Sequence, residues 1–122
     1  VETRGEMMVR ARRFVKRVRS LAMANEADDV VLVSHGDFMD AMLKVLSAGP
    51  SAANDDDGRD WRQLDSLARF CHTNTGVTRV EVGRQDGVAH IMSLNEASHL
   101  DSEERTGGEM LDGWGNWRTH TW

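Results

Sequence analysis

The 122-residue chain contains a single cysteine and no long apolar run. A lone Cys71 excludes an internal disulfide framework and any zinc site built on cysteines, and it fits a reducing, intracellular setting, with the cytoplasm as the expected compartment. No stretch approaches the ~18 to 20 consecutive apolar residues of a membrane span. The first 20 residues carry seven Arg and Lys and no apolar block, so they do not read as a secretory signal. The histidines show no H-x-x-x-H or similar ligand spacing, and neither a metal nor another cofactor is expected. Internal repeats and long linkers are also missing. The chain starts at Val1, without an initiator Met and directly in a helical pattern, which suggests a piece of a longer protein.

What is present suits one modest domain. A length near ~120 falls in the usual ~50 to 250 residue range and lets folding bury about two-thirds of the extended chain's surface. Charge is unevenly spread: 15 Lys and Arg against 20 Asp and Glu give a net charge of −5, yet seven of the basic residues lie between Val1 and Arg19 beside only Glu2 and Glu6. A basic segment of this kind can neutralise phosphates. The acidic remainder repels polyanions, so nucleic acid is not an expected partner and the segment reads as a solvated helix face.

Thr3-Arg4-Gly5-Glu6 has the T-x-x-E form of a capping box, and Met7, Ala11, Phe14, Val18 and Leu21 then recur at helical spacing. Val30-Val31-Leu32-Val33 is a short β-branched run of the kind found in strands buried on both faces. It stops at Ser34-His35-Gly36, after which Phe38, Met39, Met42, Leu43, Val45 and Leu46 return to helical spacing until Gly49-Pro50. Helix, buried strand, tight turn and helix make an α/β unit. Ser51 to Asp60, with four aspartates, reads as a solvated loop, since it lacks the twelfth-position Glu of a calcium loop. Trp61 to Phe70 predicts a third helix. Val77 to Val82 and Val88 to Leu94 predict strands joined by an Asp86-Gly87 hairpin turn. From Asp101 the chain is a Gly-rich tail ending in Trp114, Trp117 and Trp122, which fold back onto the domain, belong to a terminal segment of no particular role, or anchor a partner.

A histidine at the end of a strand, followed by glycine and a helix, has a direct chemical use. Ligands bind at the carboxyl ends of strands in open α/β sheets, and the free N–H groups of the next helix favour an anion. Gly36 would let that anion approach the backbone, and His35 would add a donor to the same oxygen. Ser34 and His35 are adjacent on an extended segment and point to opposite faces, so they do not pair as nucleophile and base. Cys71, next to His72, reads as a small buried hydrophobe.

Four motifs occur in order: E-T-x-x-E-x-x-x-R-x-x-x-F (Glu2, Thr3, Glu6, Arg10, Phe14), V-V-L-V-S-H-G-D-F-M-D (Val30 to Asp40), N-T-G-V-T-R-V (Asn74 to Val80) and L-N-E-A-S-H-L (Leu94 to Leu100). Together they resemble the C-terminal half of the histidine phosphatase, or phosphoglycerate mutase-like, superfamily, over about residues 2 to 100, with residues 101–122 as an appended tail. The resemblance implies a three-layer α/β/α fold and phosphomonoester hydrolysis without metal, through a phosphohistidine. In such proteins a histidine in an R-H-G motif attacks phosphorus, and a second histidine in S-H-G binds the phosphoryl oxygens. His35 matches that second histidine and Gly36 the glycine beside it. Asn74 and Thr75 match a loop bordering the site. Glu2 and Thr3 match a helix start, read as capping rather than catalysis, and Asn95 to Leu100 an ending read as packing.

No R-H-G occurs in these residues. The resemblance therefore implies a chain inactive alone, completed by a missing N-terminal half or another chain, with a homodimer as one way to cover an open sheet edge. Mutase members read A-H-G-N-S-L-R, whereas Asp37 and Asp40 stand at the Asn and Arg positions here. Two carboxylates disfavour an acidic glycerate and favour a phosphate ester with a neutral, hydroxyl-bearing leaving group. The other reading is a non-catalytic interaction module of the same fold, holding a partner through the basic helix or the tryptophan tail.

Overall fold

The computed structural model describes residues 1–53, 60–66 and 69–106. In chain order it has helices α1 (Arg4–Met23) and α2 (Gly36–Ser47), a 3₁₀ turn (Pro50–Ala53), a short helix α3 (Trp61–Asp65), strands β1 (Val77–Val82) and β2 (Ala89–Glu96), and a last 3₁₀ turn (Ser102–Glu104). This is a mixed α/β arrangement. No helix among the described residues is long and apolar enough to cross a membrane.

The start of α1 forms as its sequence predicts. The Glu6 N–H donates to the Thr3 hydroxyl, and the Thr3 N–H donates to the Glu6 carboxylate at 2.7 Å, closing the capping box. The rest of that motif is also accounted for here. Arg10 grips Glu2 with two hydrogen bonds of 2.8 and 2.7 Å and lies 4.0 Å over the Phe38 ring, which meets Phe14 edge-on. The buried seam is rotated from the predicted one, however. Met8, Ala11 and Val15 are buried together with Arg12 and Arg19, while Met7, Phe14, Val18 and Leu21 are only half-covered. Arginine stems cover apolar surface while their heads find acceptors. Arg19 shows how: it donates to the carbonyls of Gly87 and Leu46, both at 2.9 Å, and so joins α1 to the hairpin turn and to the end of α2. Part of the basic run is thus structural rather than a solvated face.

Helix α2 packs on α1, with Phe38, Ala41, Met42 and Val45 facing Met8, Ala11 and Val15, and Ala52, Ala53 and Leu64 closing the core. It ends at Ala48, and Gly49 then takes φ 103°, where a side chain would be strained. Helix α3 is shorter than predicted: Ser66 already closes it, and residues 67–68 lie outside the described part. Most of the aspartate-rich loop and all three tail tryptophans lie outside it as well.

The hairpin forms where the Asp86-Gly87 signal places it. Gly87 sits at φ 67° and the Asp86 carboxylate accepts from the Val88 N–H at 3.0 Å. Strands β1 and β2 pair antiparallel, Val77 opposite Glu96 and Val82 opposite Ala89, with irregularities on both sides of Arg79. These two strands are the whole sheet among the described residues. Residues 30–33 depart from expectation. The run predicted as a buried strand has no ladder partner among the described residues, and Val31 and Val33 are 89 % and 92 % exposed. A β-branched apolar run encodes extended backbone, but burial needs neighbours that these residues do not contain.

Candidate functional site

The apolar run delivers His35 to the start of α2. His35 is the N-cap residue, extended at φ −96° and ψ 153°, and its ring makes no capping hydrogen bond. Its carbonyl accepts the Met39 N–H at 3.0 Å, whereas the N–H groups of Gly36, Asp37 and Phe38 have no acceptor among the described residues. An exposed imidazole beside three open amides at the positive end of a 12-residue helix suits a small anion.

Nothing in the packing requires glycine at position 36. A Cβ there would lie 3.7 Å from the His72 Cβ, an ordinary contact. What glycine provides is an unshielded backbone at the helix entrance. The contact also identifies a neighbour that sequence reasoning passed over, because His72 has no motif spacing of its own. His72 is buried; its Nε2 pairs with the Thr78 hydroxyl at 3.3 Å, and its Nδ1 has no partner. Burial lowers its pKa, outweighing the Phe70 carbonyl and the Asp40 charge, and so favours the neutral imidazole.

The carboxylates predicted to repel an acidic substrate have separate roles. Asp37, at the rim, is bound by Arg69 at 2.7 Å, which places a cation beside the helix entrance. Asp40 is 1 % exposed and meets Arg4 at 2.7 Å, Lys44 at 3.1 Å and the Phe70 N–H at 2.8 Å. A substrate cannot feel it as a free carboxylate. The argument against an acidic substrate is thereby reduced to Asp37, itself largely neutralised.

The loop bearing Asn74 and Thr75 is placed beside α2 by His72, but neither side chain bonds to His35. Asn74 donates to the Thr106 hydroxyl at 2.9 Å, while its N–H meets the Thr106 carbonyl at 2.6 Å; Thr75, at φ 62°, pairs with His99 at 3.1 Å. Asn95, read from sequence as packing, is the clamp of this loop. Its carboxamide accepts from the Thr73 N–H at 2.8 Å and donates to the Thr73 hydroxyl at 3.1 Å. It also fills the space beside Gly76, where any Cβ would collide with it. The third and fourth motifs therefore act together, one as a loop and the other as its lock. Asn95→Ala should destabilise the fold by about 1 to 3 kcal/mol, since the Thr73 N–H loses its acceptor. Amide exchange should accelerate first across residues 73–76; unchanged protection there would refute the clamp.

No group of His, Cys, Asp and Glu that could hold a metal occurs among the described residues. Comparison with known families, curated proteins and solved structures gives no match. The site's chemistry therefore rests on its own residues.

Proposed function

We propose that this chain is the phosphate-binding part of a histidine phosphatase, in which His35 and the α2 amides hold the phosphoryl oxygens of a phosphorylated small molecule. The observation carrying this reading is the open entrance of α2: an uncapped His35, three free N–H groups and a glycine that packing does not demand. Charge on the equatorial oxygens grows as the phosphoryl group passes from leaving group to nucleophile, and fixed donors at these positions stabilise it. Gly36 lines the pocket, and Asn74 and Thr75 border it as a loop held by Asn95.

The nucleophilic histidine, in an R-H-G motif, comes from polypeptide outside these residues. The complete protein has the three-layer α/β/α fold, with the exposed run 30–33 as one of its inner strands. Its substrate is a phosphomonoester and its setting intracellular. Purified alone, the chain should release no phosphate from p-nitrophenyl phosphate, and turnover should arise when the polypeptide carrying R-H-G is added. Turnover by the chain alone, or conversion of 3-phosphoglycerate to 2-phosphoglycerate by the combination, would contradict the reading.

A further inference from the structure

Residues 69–72 are laid across the first turn of α2 by three contacts. Arg69 Nη2 donates to the Asp37 carboxylate at 2.7 Å, and the Phe70 N–H donates to the buried Asp40 carboxylate at 2.8 Å. The His72 Cβ lies 3.7 Å from the position that a Cβ on Gly36 would take. Arg69 is therefore fixed at its root while its tip stands at the rim, where the Asp37 side chain is 43 % and the Arg69 side chain 24 % exposed. Asp37 belongs to the same first turn as the open amides of Gly36, Asp37 and Phe38, so its carboxylate draws on the positive helix end that suits an anion. A separate feature marks this entrance as incomplete. Two bonds from the His72 Cβ, the buried Nδ1 has no partner among the described residues, an open position of the kind that a bound oxygen fills.

We propose that Arg69 is a phosphate-binding residue that exchanges Asp37 for the phosphoryl oxygens when a phosphate occupies the α2 entrance. The inference rests on the phosphoryl reading and adds to it a permanent cation, which helix amides do not supply. A part-exposed ion pair is held weakly, because water competes for both partners. A guanidinium presents a planar fork of donors that matches two phosphate oxygens, and such charge-assisted bonds are about twice as strong as neutral ones. The exchange therefore runs toward phosphate. The Phe70 N–H stays on Asp40 throughout, and only the Arg69 side chain turns.

Inorganic phosphate titrated into the full chain, read at the amides of Gly36, Asp37 and Phe38, tests this with a two-residue cycle. Arg69→Gln should weaken binding about tenfold, the loss expected of a charged hydrogen bond. Arg69→Lys keeps the charge but loses the fork, and should fall between the two. Asp37→Asn should tighten binding, since Arg69 then has no pair to break. The double variant separates the two ways Arg69 could act. If it exchanges partners, Arg69→Gln costs at least as much in the Asp37→Asn background as in the original chain; if it only neutralises Asp37, that cost vanishes. Equal binding by Arg69→Gln and the original chain, or a double variant no weaker than Asp37→Asn alone, would overturn the role of Arg69 and leave the helix entrance standing as an anion site. No response of the α2 amides in the original chain would overturn both.

Discussion

Replacing Asp40 with alanine should cost about 3 to 5 kcal/mol of stability, the usual penalty for breaking a buried ion pair from one side. Four charges meet where α1, α2 and α3 converge. Arg4 reaches Asp40 at 2.7 Å and Asp65 at 2.5 Å, while Lys44, only 2 % exposed, lies 3.1 Å from both carboxylates. Asp40 also accepts the Phe70 N–H, so its loss strands a backbone donor and leaves the buried Lys44 ammonium with Asp65 as its remaining partner. Because domains of this size carry roughly 5 to 15 kcal/mol in total, urea unfolding should show a midpoint displaced by a large fraction of its value. Asp40→Leu with Lys44→Met should recover much of the loss, since apolar residues of similar size leave no charge uncompensated. A cost below about 1 kcal/mol for Asp40→Ala would place the network on the surface in energetic terms.

The same network gives acid sensitivity a definite sign. Burial opposes the Asp65 charge, but hydrogen bonds from Arg4 and Lys44 outweigh it and hold the pKa below the ordinary aspartate value of 3.8. The stabilisation is complete above that ordinary value and disappears as pH falls through the lowered one. Asp65→Asn should flatten the stability profile in that range.

Replacing His35 with alanine should lower phosphoryl transfer in the completed protein by about 10²- to 10³-fold, the loss typical of one donor to a developing oxyanion. His35 is exposed and caps nothing with its ring, so the fold should not notice the change. Unfolding midpoints within about 0.5 kcal/mol of each other would separate the lost chemistry from lost structure. Unchanged turnover would remove His35 from the proposed site.

Local chemistry was legible wherever a few neighbouring residues decide the outcome. Thr3 with Glu6, Gly49 with Pro50 and Asp86 with Gly87 each form the cap, stop or turn that their spacing predicts. Features set by distant residues were not legible. Asp40 and Lys44 look like an ordinary surface pair one helical turn apart, and only Arg4 and Asp65, from two other helices, make their burial tolerable. Arg12 and Arg19 look solvent-facing on a helical wheel, yet both are buried, and Arg19 reaches carbonyls on α2 and the hairpin. Asn95 locks a loop 22 residues away, which no local pattern reports. The run 30–33 is the converse case: its residues are those of an inner strand, and the neighbours that would bury it are not among the described residues.

The most direct test of the central claim is titration of the isotope-labelled chain with inorganic phosphate, followed through the amides of Gly36, Asp37 and Phe38 by NMR. Saturable shifts confined to these amides and the His35 ring are predicted, abolished by His35→Ala and weakened by Gly36→Ala, with the remaining spectrum unchanged. Absence of any shift at the start of α2, or an equal response from His35→Ala, would contradict a phosphate site there.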